Sequence, residues 1–98
     1  MEWTFTAELW LWKSDAAWHF VTLPESVADE VEDRVPQRAG FGSVPVTVAL
    51  GASRWSTSIF PSKEAKSFIL PIKKSVRVAE DVGVGDLCSI TIHVDGNI

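Results

Sequence analysis

The chain opens with an alternation of apolar and polar side chains. From position 3 to position 11 every odd residue is apolar, whereas Thr4, Thr6 and Glu8 occupy the even positions between them. A period of two is typical of a half-buried β-strand, so we predict a first strand whose odd face, from Trp3 to Leu11, packs in the core.

Two tryptophans, Trp10 and Trp12, lie on the polar side of this strand near its end. They are either covered by a helix or left as an exposed rim. We favour the covered arrangement, because a contiguous exposed aromatic patch promotes aggregation unless it is used. After a polar turn, residues 17–22 are predicted to return as the second strand of a hairpin, with Trp18 and Phe20 on one side.

Two proline positions predict helices. Pro24 suits a first helical turn, and Val27, Val31 and Val35 recur at the spacing of one buried helix face, so we predict a helix that ends before Pro36. Pro71 is predicted to open a second helix in the same way. Its predicted inward residues are Ile72, Val76 and Ala79. Its predicted outward residues are the bases Lys73, Lys74 and Arg77. The glycines at positions 83 and 85 are predicted to stop it.

Alternating or apolar runs at positions 44–50, 54–60, 67–70 and 87–94 predict four more strands. The dipeptides Leu23-Pro24 and Leu70-Pro71 lie 47 positions apart and divide the chain into two units, each reading strand, strand, Leu-Pro, helix, strand. Short twisted strands in so small a chain avoid open edges best by closing on themselves. We therefore predict a mainly β fold, a closed or nearly closed six-stranded barrel with two helices and pseudo-duplicated halves.

Charge is segregated along the 98 residues, which have room for a single domain spanning 1–98. Residues 1–33 hold eight acids and one base, residues 34–77 hold eight bases and one acid, and residues 78–98 hold four acids, so the net charge is −7 + 7 − 4 = −4. The acidic total argues against a general nucleic-acid partner, whereas the basic middle third predicts a local anion site. The alternative is that neighbouring acidic segments neutralise it in the fold.

Other classes of protein find little support in the sequence. No secretory signal or membrane-spanning run is recognised, so we expect a cytoplasmic protein without a membrane partner. Cys88 has no disulfide partner, and His19 and His93 lack metal-ligand spacing, so no metal or other cofactor is predicted. The glycine pairs lead into strands rather than helices, and no serine lies in a nucleophile elbow. We therefore favour a non-catalytic binding module over an enzyme.

The candidate ligand-binding residues are basic side chains together with one aromatic wall. They are Arg38, Arg54, Trp55, Lys73, Lys74 and Arg77. Arginine offers bidentate contacts to carboxylate or phosphate, and lysine acts as a point charge. Two alternatives remain, a merely solvated basic helix face and a Trp55 that is ordinary core. A rival hypothesis from another class is a protein-interaction module that uses Trp10 and Trp12. The oligomeric state is not predicted.

Residues 40–77 and 83–92, together with the N-terminal hairpin, resemble the DUF1905 family of small bacterial domains of unknown function, so the resemblance covers nearly the whole chain. The resemblance rests on Gly-x-Gly-x-x-x-Val at 40–46, Trp55, Phe60-Pro61, Leu70-Pro71, Lys73-Lys74-x-x-Arg77 and Gly85-Asp86. It implies a six-stranded barrel, sometimes fused to a YdeI/OmpD-associated segment, and it implies no activity. Residues 68–92 are also similar to the DNA-binding half of AbrB-type regulators, which we interpret as shared turn chemistry rather than DNA binding.

Overall fold

The computed structural model describes residues 1–13, 17–35 and 42–95 and is mainly β, as predicted. Its strands are β1 (Glu2–Glu8), β2 (Trp10–Leu11), β3 (His19–Thr22), β4 (Val44–Leu50), β5 (Ser53–Ser62), β6 (Ser67–Pro71) and β7 (Leu87–His93). Its helices are α1 (Glu25–Arg34) and α2 (Lys74–Glu80). Neither of these helices is long and apolar enough to span a bilayer.

All seven strands form one antiparallel sheet in the order β1-β7-β4-β5-β6-β3-β2, curled into a half-barrel. The predicted closed six-stranded barrel is therefore wrong. The seventh strand arises because the first predicted strand divides at Leu9 into β1 and β2. These two segments follow one another along the chain and do not pair together, so the sheet keeps two edges.

Leu9 is the point where the chain changes partners. Its N–H donates to the carbonyl of Asp86 (3.0 Å) and its carbonyl accepts from the N–H of Gly85 (2.8 Å), next to the β1–β7 pair. One residue later β2 pairs with β3 instead. The alternation is therefore broken, and Leu11, predicted to be buried, is 41% exposed.

The core contains the apolar faces that the sequence predicts. Val44, Val46, Val48 and Leu50 of β4 are buried, as are the corresponding residues of β7. Helix α1 runs as predicted and buries its valine stripe. Burying one such side chain contributes about 1.5–3 kcal/mol, so these faces supply most of the driving force for folding.

Helix α2 differs from its prediction at both ends. Pro71 does not open it: this residue pairs with Phe20, and the N–H of Ile72 donates to the carbonyl of His19 (2.9 Å), so extended pairing continues past the proline. At the other end the left-handed residue is Asp81 (φ 53°) rather than a glycine. The helix is only seven residues long, and Ala79, predicted to face inward, is exposed.

The strand pairing has a pseudo-two-fold pattern. We call β1 to β4 with α1 the first half and β5 to β7 with α2 the second half. One row of buried side chains crosses four strands: Trp3 pairs with Ile92, Ile92 with Val48, and Val48 with Trp55. If β1 is exchanged with β5 and β7 with β4, Trp3 takes the place of Trp55 and Ile92 takes the place of Val48. The row is therefore the same when read from either end. Trp3 and Trp55 are thus equivalent positions in the two halves.

Candidate functional site

A cleft with a volume of about 700 Å³ lies where α2 begins beside β3 and β5. Its basic side chains come from the start of α2, and its aromatic side chains come from β5 and from the segment that leads into β3. We call it the basic cleft and define it by Trp18, His19, Trp55, Lys73, Lys74 and Arg77.

Four of the six sequence-predicted residues lie together in this cleft, namely Trp55, Lys73, Lys74 and Arg77. Arg54 is exposed and does not line it. Arg38 lies outside the described residues. The structure therefore brings together the β5 tryptophan and the bases around the start of α2, without Arg54.

Arg77 is the most constrained base of the cleft. It is half-buried, and its Nε donates to the carbonyl oxygen of Ile72 (3.1 Å) while Nη1 lies 3.3 Å from Nε2 of His19. Because a guanidinium has no acceptor, Nε2 must accept this hydrogen bond, and the ring proton of a neutral His19 lies on Nδ1. That Nδ1 atom is buried and has no hydrogen-bond partner among residues 1–13, 17–35 and 42–95. Arg77 is thus held in place by neutral groups.

No carboxylate in the described part of the chain forms an ion pair with the bases of the cleft. The ion pairs seen there join Arg34 to Glu30 (3.6 Å) and His93 to Glu2 (3.6 Å), and neither involves Lys73, Lys74 or Arg77. The alternative that acidic segments neutralise the basic ones finds no support in these ion pairs for the three bases. Among the described residues, the charged side chains on the wall of the cleft are all basic.

Trp55 belongs to both the core and the cleft. It is 8% exposed and packs in the main apolar cluster, yet it also lines the basic cleft. No described residue accepts a hydrogen bond from its indole N–H. The two sequence-based interpretations of Trp55, as a core residue and as an aromatic wall, therefore do not exclude each other.

Sequence reasoning missed the contribution of Trp18 and His19 to this cleft. They reach it because β3 pairs with β6, with Phe20 opposite Pro71, so that the start of β3 lies beside the start of α2. This contact spans about half of the chain. The only local signal for it was the apolar character of residues 17–22.

A second surface is aromatic. We call Trp10, Trp12, Trp18 and Phe20 the aromatic patch; its ring centroids lie 5.2–6.1 Å apart. Trp12 is 41% exposed and Trp18 is 52% exposed, whereas Trp10 is half-buried and donates its N–H to Thr22 Oγ1 (2.9 Å). The predicted helical cover of Trp12 is therefore not seen in the described part of the chain.

Cys88 offers no reactive group. It is buried in β7, where burial and, secondarily, the charge of Asp86 raise the pKa of its thiol. A raised pKa keeps the thiol protonated and unreactive at neutral pH. This placement agrees with the sequence-based assignment of Cys88 to the apolar face of its strand.

Fold and cleft together define a small, mainly β half-barrel domain with a basic, partly aromatic cleft at one helix. The family model described as a domain of unknown function, DUF1905, matches residues 5–92. The chain therefore belongs to the DUF1905 family. A search of curated proteins found no match to the sequence.

Proposed function

We propose that this domain is a binding module that receives an anionic small ligand in the basic cleft. The observation that carries the proposal is the convergence of Lys73, Lys74 and Arg77 on one concave surface without a described acid to neutralise them. The volume of about 700 Å³ falls in the range of about 300–1,000 Å³ that is common for small-molecule sites.

The three bases have different roles in this proposal. Arg77 is fixed through its Nε and Nη1, so its remaining N–H groups can bind an anion with little loss of side-chain entropy. Lys73 and Lys74 are exposed and adjust to the ligand as mobile point charges. The carbonyl of Lys73 accepts from the N–H of Arg77 (3.1 Å), which places the two residues one helical turn apart on the same side.

A thermal-shift titration with inorganic phosphate and pyrophosphate tests the proposal. The variant with Lys73→Ala and Lys74→Ala removes two exposed cleft charges, and the matched control with Lys13→Ala and Lys63→Ala removes two exposed charges elsewhere. We expect the wild type and the control to be stabilised by the anions and the cleft variant to lose most of that shift. The absence of any shift in the wild type would refute the proposal, as would an equal loss in both variants.

A second candidate function is a protein-interaction surface at Trp10 and Trp12, which the exposure of Trp12 favours. If the aromatic patch joins two copies, sedimentation of the wild type will depend on concentration and that of Trp12→Ser will not. A wild type that stays monomeric throughout would leave no support for self-association through this patch.

A further inference from the structure

We propose, building on the anion site proposed above, that the ligand of the basic cleft is a nucleoside monophosphate. Its base would stack on Trp18 and its phosphate would meet Lys73, Lys74 and Arg77. Three features of the cleft support this inference: an exposed aromatic ring on its wall, the amount of positive charge, and hydroxyl groups on the wall.

Trp18 presents an exposed aromatic surface on which a base could stack. Its ring lies nearly parallel to that of Phe20, with an interplanar angle of 11° and centroids 6.0 Å apart. Phe20 is buried, whereas Trp18 is 52% exposed and lines the basic cleft. An exposed aromatic ring on the wall of a basic cleft suits a planar base, because every base presents a π-face.

The charge of the cleft fits a phosphate better than a carboxylate. Three bases line it, and none of them pairs with a described acid. A phosphate monoester carries about −1.5 to −2 charges near neutral pH and offers three acceptor oxygens, whereas a carboxylate carries one charge. The planar fork of Arg77 is suited to bidentate contact with such a group.

The wall of the cleft also carries groups that suit a sugar. Ser56 and Thr57 line the same cleft and bear hydroxyls that both donate and accept hydrogen bonds. Trp55 and Ile72 supply apolar surface beside them. A long nucleic acid fits less well, because the net charge of the chain is −4 and repels a polyanion outside the cleft.

Isothermal titration calorimetry with adenosine 5′-monophosphate, ribose 5-phosphate and adenosine tests the inference. We expect adenosine monophosphate to bind about tenfold tighter than ribose 5-phosphate, which keeps the phosphate and sugar but lacks the base. Trp18→Ala should erase that difference while ribose 5-phosphate still binds. Trp12→Ala, which removes another exposed tryptophan of the aromatic patch, should leave both affinities unchanged. Trp18→Phe, which retains a ring, should keep part of the difference, and melting curves of each variant verify folding.

The outcomes separate this inference from the proposed function. Equal affinities for adenosine monophosphate and ribose 5-phosphate, unchanged by Trp18→Ala, would overturn the nucleotide and leave the anion site intact. If ribose 5-phosphate, phosphate and pyrophosphate all fail to bind, the anion site itself is refuted, and the nucleotide with it. Binding of a short single-stranded oligonucleotide without binding of the monophosphate would also overturn the inference.

Discussion

The two ends of the four-strand row carry the same side chain in different surroundings. Trp3 and Trp55 are equally buried, at 8% exposure each. The indole N–H of Trp3 donates to Oε1 of Glu30 in α1 at 3.2 Å, whereas no described residue accepts from the indole of Trp55. Trp55 instead lines a cleft whose charged side chains, Lys73 and Arg77 among them, are basic.

This difference comes from the helices and not from the sheet. Strand pairing around the two tryptophans is equivalent, but α1 carries five acids and one base, whereas α2 carries two bases and one acid and follows directly on Lys73. In the first half a carboxylate of the chain itself occupies the position next to the tryptophan. In the second half Trp55 instead lines the basic cleft, whose described charged side chains are Lys73, Lys74 and Arg77.

The largest expected effects come from truncating the two tryptophans. Trp3→Ala and Trp55→Ala should each lower the free energy of unfolding by about 3–5 kcal/mol, because both remove a large core side chain. Urea denaturation measures this quantity for each variant. A nearly neutral result at Trp55 would break the equivalence of the two positions and move that residue out of the core.

A smaller effect isolates the hydrogen bond of Trp3. Trp3→Phe and Trp55→Phe remove similar volumes, but only the former loses an indole hydrogen bond to a described residue. We expect Trp3→Phe to cost about 1 kcal/mol more than Trp55→Phe. In a Glu30→Ala background this extra cost should disappear. Equal costs in the original background would contradict the proposed difference between the two ends.

The smallest expected effect concerns the rate at which the Cys88 thiol is alkylated. The same pseudo-symmetry makes it the counterpart of Val44, so it should act as a packing residue. Because burial raises the pKa of its thiol, alkylation by iodoacetamide should be slow near pH 8 and should accelerate only at a higher pH than in the urea-unfolded chain. Equally fast labelling of the folded and unfolded forms would show that the thiol is not protected.

The sequence predicted those features that depend on local patterns. The alternation of β4, the valine stripe of α1 and the grouping of Lys73, Lys74 and Arg77 all follow from spacing along one element. The break at Leu9 was not predictable, because it depends on backbone contacts with Gly85 and Asp86, which are distant in sequence.

The same reasoning explains the errors around α2 and the cleft. Pro71 looks like a helix start when seen alone, but its pairing with Phe20 extends the strand through it. That pairing also brings Trp18 and His19 to the bases of α2. Two of the six residues that define the cleft are therefore placed there by non-local strand pairing, which composition and periodicity do not encode.

The most direct test of the difference between the two halves is a titration of the ¹⁵N-labelled protein with pyrophosphate, followed through the indole N–H resonances of its five tryptophans. Single Trp→Phe variants assign the peaks. We predict that the Trp55 resonance shifts in a saturable way while the resonance of Trp3, whose indole N–H donates to Glu30, stays in place. Equal shifts of Trp3 and Trp55, or no shift of any indole, would contradict the account.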